Sequence, residues 1–423
     1  MMMVHLPVTV NYFAADSKGM PVTMQVRRLI REGQFKHIIG IHRGERNLIY
    51  VSVLDMNGKI VEQKPLNIIE STCGGQPYSK DYNALLQRKE EERLQSRKDW
   101  KTIEKIKDIK QGYLSQAIST ITDMVLEYEA LIVMEAINKQ FKRSRQKIEK
   151  NIYAKFEQQL IDKLNFLVKK NRDMNEPGGL LNALQLTDKV EPGLDLFQNG
   201  IIFYTPAAYT ANVCPVTGFV SLFNLKNGKI EEVKAFFSKF DSIRFNKETG
   251  LFDFTFDYNN FTDKAENART CWTVSTFGQR CGCIESAGQK KRALVDLTKE
   301  FKNLFTRHGV DYTGNLKEAI ATVDKRSFYV GLVELFNLMM QMRNIMGDNI
   351  DYLISPASDE NGRYFLSSPE NKEWPIDTDA NTAYNVARKG LLMVQSILRT
   401  TEKEKVNLGI TNERWMKYIQ CIS

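Results

Sequence analysis

The hydrophobic positions of this chain change their spacing several times, and each change marks a different kind of element. Near the start, apolar residues come in short runs: Leu6 to Tyr12, then, after the break "DSKGMP", His37 to Ile41, Leu48 to Leu54 and Lys59 to Leu66. Asn57-Gly58 separates the last two and is a dipeptide favoured in tight hairpin turns, so the three later runs predict an antiparallel meander. From Tyr82 to about Leu126 the pattern becomes helical and rich in charge, with Ile103, Ile106, Ile109 and Tyr113 at three- and four-residue steps. Gly112 predicts two helices there, or one that is kinked. "ALIVME" (130–135) reads as a short buried strand. The segment from Lys147 to Lys170 reads as an amphipathic helix with Ile152, Phe156, Leu160, Leu164 and Leu167 on one face. "NEPGGLLNALQL" reads as loop. From about Ile201 short aromatic-rich strands predict a separate β-containing module, closed by a helix over 329–344. A last helix runs from Ala380 to about Leu398.

Composition narrows the classes. The chain has 423 residues, of which 42% are hydrophobic and 26% charged, room for two or three domains with real cores. No apolar run approaches the ~18 residues of a membrane span, and the N-terminus has no signal-peptide pattern, so a cytoplasmic protein is expected. The six cysteines are scattered without a CxxC pair, and the CxC of Cys281 and Cys283 is a poor metal motif; no zinc is expected. The net charge of +8 is mild, but the excess is concentrated in "FKRSRQKIEKNIYAKF" (141–156) and "GQKKRAL" (288–294). These read either as solvated faces or as phosphate contacts whose binding would weaken with salt.

Two features carry chemistry. Glu135 ends a buried strand, where an ionised carboxylate is costly unless it is paired or holds a metal. Asp377 and Asp379 stand at the start of the last helix, where aspartate is also the common cap. Trp100, in the midst of the charged helical tract, is a large aromatic that calls for a pocket.

In order, "HLPVTVNY", "IIGIHRGERNLIYV", "RKDWKTIEKIKDIKQGYLSQ", "LIVMEAIN", "CPVTGFV", "LMMQMRN", "DYLISP" and "DTDANTAYNVARKG" resemble successive motifs in the C-terminal third of the type V-A CRISPR effector nucleases. The resemblance runs nearly end to end. It implies an α/β protein: an RNase H-like RuvC domain split in sequence by a bridge helix and an inserted α+β Nuc domain. The implied divisions are a wedge-domain remnant (1–33), the first RuvC segment (34–81), the bridge-helix region (82–108), the second RuvC segment (109–207), the Nuc domain (208–375) and the third RuvC segment (376–423). The implied activity is hydrolysis of DNA strands by an RNA-guided endonuclease. Guide RNA and target DNA are the implied partners, in a prokaryotic cytoplasm, with no membrane. The recognition lobe and PAM-interacting domain of the family have no counterpart in these residues, so a second chain carrying that lobe is a further implied partner.

By the same resemblance, Glu135 and Asp379 match two of three carboxylates that hold two Mg²⁺ (or Mn²⁺) ions about 4 Å apart. Arg343 matches a Nuc-domain arginine that places the substrate strand, Asp351 an acidic neighbour, and Trp100 a bridge-helix aromatic that docks into the recognition lobe. Arg43, Arg46, Lys142, Arg143, Arg145 and Lys147 are the nucleic-acid contacts expected. The first carboxylate is missing: His42 stands in its place. Imidazole brings one lone pair and no negative charge to a site built for a hard cation with oxygen ligands, so weakened metal binding and impaired cleavage are expected. Ala136, Lys139-Gln140, Thr382 and "CGCIESAGQKKR" depart from the family pattern as well. A non-catalytic nucleic-acid-binding or regulatory protein, or a subunit of a split effector, is the alternative.

Overall fold

A computed structural model of the protein describes residues 20–43, 47–73, 76–82, 84–85, 88, 106–136, 147–169, 172–189, 197–223, 225–261, 268–286, 289–347, 349–402 and 404–421. The expected strand at Leu6–Tyr12 lies outside them. The chain divides into two compact units, one of Met1–Pro206 with Val386–Gly409, the other of Ala207–Asn385 with Ile410–Ser423.

The first unit opens with a helix that the sequence reading missed, α1 (Val22–Arg31), which buries Val22, Val26 and Ile30 along one stripe. Pro21 precedes it, and the carboxylate of Asp188 accepts from the Val22 and Thr23 amides at 3.1 and 3.2 Å, capping the helix from far along the chain. The predicted meander follows as β1 (His37–His42), β2 (Tyr50–Asp55) and β3 (Ile60–Pro65), with Gly58 at φ +87° in its last turn. Pro65 ends β3, an edge strand, where its missing N–H costs no ladder bond. A separate hairpin, β4 (Ile68–Cys73) with β5 (Gln76–Asp81), had no counterpart in the expectations.

Helix α2 (Ile106–Glu127) runs through Gly112 without a break, so the expected division there does not occur. Tyr113, Ala117, Ile121 and Met124 are buried along it, and packing of this stripe outweighs the ~1 kcal/mol that one glycine costs a helix. Strand β6 (Ala130–Glu135) is wholly buried. Helix α3 (Lys147–Asn165) buries Phe156, Leu160 and Leu164 and packs on α2. It stops at Asn165, so Leu167 belongs instead to an irregular bridge with Leu184. Strands β7 (Gln198–Asn199) and β8 (Ile202–Thr205) complete a sheet ordered β3-β2-β1-β6-β8-β7. Here β1 is antiparallel to β2 and parallel to β6, and β6 is parallel to β8, the arrangement expected of an RNase H-like sheet. The Ile202–Thr205 run is therefore a buried strand of the first unit, not the start of the β-containing module.

The second unit contains α4 (Ile230–Ser238), β9 (Ser242–Phe245), β10 (Phe252–Asp257), β11 (Cys271–Ser275), β12 (Gln279–Ser286), β13 (Gln289–Asp296), α5 (Leu297–Arg307), α6 (Leu316–Thr322) and α7 (Arg326–Met340). Three further strands follow: β14 (Arg343–Met346), β15 (Ile350–Ser358) and β16 (Tyr364–Leu366). The helix predicted over 329–344 thus ends at Met340 and does not close the module. The main sheet is ordered β14-β15-β11-β10-β9, with β16 on β15, while β12 and β13 pair only with each other among the described residues. Phenylalanines dominate the core. Phe240 meets Phe261, Phe256 and Phe336 edge-on at 5.2–5.6 Å, the geometry that aromatic quadrupoles favour.

Helix α8 (Thr378–Leu398) belongs to the second unit up to Asn385 and to the first from Val386. In the first unit Gly390 lies against the sheet: a Cβ built there falls 2.3 Å from Val133 Cγ2 and 3.2 Å from Ile38 Cγ2. Alanine would gain up to ~1 kcal/mol in helix propensity. It would also push the helix off two β-branched side chains in the centre of the sheet, a packing strain of ~1–3 kcal/mol. Gly390→Ala should therefore destabilise the protein by ~1–2 kcal/mol. A urea titration that found it as stable as the parent would show that the helix is free to shift.

Candidate active site

Strand pairing alone builds the first part of the site. The parallel register of β1 and β6 sets Ile41 opposite Met134, so the next residues, His42 and Glu135, stand side by side at the ends of two buried strands. Both side chains are buried, and His42 Nδ1 lies 3.6 Å from Glu135 Oε2. Arg43 donates from Nη2 to the main-chain carbonyl of Glu135, so this predicted nucleic-acid contact is engaged with the strand end. On the other side, Thr205 is paired with Glu135 in the β6–β8 ladder. Its hydroxyl is buried with no hydrogen-bond partner among the described residues, a polar atom left over beside the carboxylate.

Lys389 completes this group, and the sequence reading passed over it. It is 1% exposed, and its ammonium donates to the Pro206 carbonyl at 2.7 Å. Burial pushes it down to about 7, while the negative charge of Glu135 works against that fall. The signal was a lysine set against the apolar run "GLLMV", in a helix whose neighbouring turns bury their side chains.

The second unit holds the other predicted residues. Asp379, in the first turn of α8, is 1% exposed. Arg343 Nη2 lies 3.4 Å from its Oδ1. The Arg343 Nε is buried and has no hydrogen-bond partner among the described residues, although about a third of the side chain is exposed. Two other aspartates hold the start of α8. Asp377 accepts from the Ala380 amide at 2.7 Å, and Asp351 accepts from Thr378 at 2.7 Å (hydroxyl) and 3.2 Å (amide). These satisfy donors that a helix N-terminus leaves open, and the helix dipole favours their negative charge. Asp377 is thus the cap, while the Asp379 carboxylate meets Arg343. Two buried amides further along α8 hold an irregular segment: Asn381 Nδ2 donates to the Val213 carbonyl at 3.0 Å and Asn385 Nδ2 to that of Thr210 at 3.0 Å.

The structure thus brings His42 to Glu135 in one unit, and in the other brings Arg343 to Asp379, with Asp351 reaching the preceding residue. Arg46, Trp100, Lys142, Arg143 and Arg145 lie outside the described residues, and Lys147 is described only as the first residue of α3. Cys281 is buried and Cys283 exposed on β12, both as free thiols.

A family model for the RuvC nuclease domain matches residues 17–423. The chain belongs to that family, whose members are nucleic-acid nucleases that generally use Mg²⁺. The side chains here do not fit the family's metal well. Among the described residues no group of three or more His, Cys, Asp or Glu side chains is placed to hold a metal ion. The donor beside Glu135 is an imidazole, and Mg²⁺ asks for oxygen in near-octahedral array. Among the described residues no helix is long and apolar enough to cross a membrane.

Lys389 makes stability depend on pH. Its folded value of about 7 lies below the ordinary 10.5, so between those values the unfolded chain binds more protons than the folded one. Stability should then rise with pH through that window, by at most about 1.4 kcal/mol per unit. In metal-free buffer the urea midpoint should climb from pH 7 to pH 9, and Lys389→Met should flatten the climb. An equal climb in the variant would mean that the lysine is charged and solvated at pH 7.

Proposed function

We propose that this chain is the RuvC–Nuc portion of a type V-A CRISPR effector, an RNA-guided DNA endonuclease, in which His42 has replaced the first carboxylate and strand cutting is impaired. The observation that carries the reading is the pair at the ends of β1 and β6. The second strand ends in the carboxylate that the family chemistry needs, and the first ends in an imidazole 3.6 Å from it. Glu135 and Asp379 are the remaining catalytic carboxylates in this reading, and Arg343 is the cation that meets the DNA strand. The proposed partners are guide RNA and target DNA.

The chain is consistent with nucleic-acid binding that outlasts cutting. The buried Arg343 Nε–H has no acceptor among the described residues, and a phosphate oxygen is an acceptor suited to a guanidinium. The basic residues at 141–156 and 288–294 add charge that phosphates attract. In effectors of this kind sequence is read by guide pairing, so holding a strand and cutting it are separable functions. A purely regulatory binding role is the second reading, favoured by His42 itself.

The test is cleavage of labelled single-stranded DNA in Mg²⁺ and in Mn²⁺. His42→Asp should cut at least ~100-fold faster than the unmodified chain, since it restores an oxygen ligand to the site. That gain should vanish when Glu135→Ala or Asp379→Ala is added. Cutting by the unmodified chain that depends on Glu135 would make the imidazole a working ligand and overturn the reading. If His42→Asp binds DNA but does not cut, the binding role stands and the impaired-nuclease reading fails.

A further inference from the structure

Arg280 is the second residue of β12, and it is wholly buried. Burial pushes its guanidinium down to about 10, still far above neutral, so the group is charged. Its donors go to main-chain carbonyls. Nε reaches Gln341 at 2.8 Å, Nη1 reaches Phe277 at 2.9 Å and Gln279 at 3.0 Å, and Nη2 reaches Met339 at 3.4 Å. Met339 and Gln341 lie at the C-terminal end of α7, where a helix has unsatisfied carbonyls and a negative dipole end that favour a cation. The planar fork of arginine can serve several such acceptors at once, which a lysine does not match.

The residues that follow α7 are tied to the same hairpin. Gln341 donates from Nε2 to the Cys281 carbonyl at 3.2 Å and to Asn344 Oδ1 at 3.1 Å. That oxygen also accepts from the Cys281 amide at 2.8 Å, and Asn344 Nδ2 donates to the Met342 carbonyl at 3.1 Å. Gly282 lets the hairpin approach: a Cβ there would fall 2.9 Å from Val295 Cγ2 and 3.0 Å from Leu338 Cδ2. The main chain is therefore held at Met339 and Gln341 by Arg280 and at Met342 by the Asn344 side chain, which is itself held by Gln341 and the Cys281 amide. Arg343 sits within this set and spends its own side chain on none of these contacts. A connection held on both sides of one arginine, which itself opens β14 opposite Leu353, restricts where its guanidinium can reach, and that guanidinium is the one beside Asp379.

We propose that Arg280 is a positioning residue for nucleic acid: by locking the connection from the end of α7 into β14 it aims Arg343 at the bound strand. The inference rests on the reading of Arg343 as a strand contact. It makes the β12–β13 hairpin, which departs from the family pattern in sequence, a buttress for the arginine that follows α7.

A double-mutant cycle on the full chain separates aiming from general support. The probe is a fluorescein-labelled single-stranded oligonucleotide in EDTA, where binding is read without cutting. Arg343→Ala and Arg280→Met should each weaken binding, by roughly tenfold, and the two together should lose scarcely more than either alone. Losses that multiply would overturn the inference, because Arg280 would then act elsewhere than through Arg343. An unchanged affinity in Arg280→Met, with Arg343→Ala weakened, would also overturn it and leave the function reading intact. If Arg343→Ala binds as tightly as the parent, the strand-contact reading fails and this inference falls with it. Should Arg280→Met fail to fold, Gln341→Met and Arg280→Lys enter the same cycle, with the same outcomes deciding.

Discussion

The parallel pairing of β1 with β6 governs the chemistry of the first unit. Its register carries two polar residues to the same end of two strands whose inner positions, 38–41 and 130–134, are buried and apolar, and burial raises the cost of any charge there. Glu135 is consequently never a lone carboxylate. It has an imidazole at 3.6 Å, an arginine on its own carbonyl and a buried lysine in its field. The groups gathered there include the Arg43 guanidinium on the Glu135 carbonyl and Lys389, whose charged form the negative charge of Glu135 favours against burial.

Much of the first unit was legible because its signals are local. Three apolar runs with Asn-Gly between two of them specify a meander, and "ALIVME" can hardly be anything but a buried strand. Asp377 as cap and the start of α8 were visible for the same reason. What stayed hidden depends on partners distant in sequence. The Ile202–Thr205 run looks like any aromatic-rich strand, and only its pairing with β6 assigns it to the first sheet. Gly112 reads as a break because propensity is local, whereas the buried stripe of α2 that carries the helix past it is tertiary. Helix α1 was legible in principle from Val22, Val26 and Ile30, but its cap, Asp188, lies more than 160 residues away.

The candidate site divides in the same manner. Glu135, Asp379, Arg343 and His42 came from the motifs that carry the resemblance, and the structure gives each a concrete surrounding. Arg280 lies outside those motifs, and Lys389, although inside the last of them, was not singled out by it. Charged residues within apolar sequence are usually read as surface, and their roles appear only when the carbonyls they serve are known. Those carbonyls lie at the ends of elements: Pro206, just after β8, for Lys389, and Phe277, Gln279, Met339 and Gln341, around the start of β12 and the end of α7, for Arg280. Each of these buried side chains ties down main-chain carbonyls where a strand or helix begins or ends.

The division of α8 between the two units has a consequence for how the protein is made. The chain passes from one unit to the other at Pro206, returns at Val386 within a single helix, and crosses once more after Gly409. When a ribosome has finished β8, the sheet of the first unit is complete in strands but lacks the helical stretch that carries Gly390 and Lys389. At ~5–20 residues per second, that stretch emerges only after a wait of roughly 10–40 s, once the Ala207–Asn385 part of the second unit has been synthesised. Throughout that interval Ile38 and Val133 lack the backbone that closes over them. The nascent chain thus carries an open apolar sheet face for far longer than local strand pairing takes, and it is at that stage that chaperone capture or misassembly would act on it.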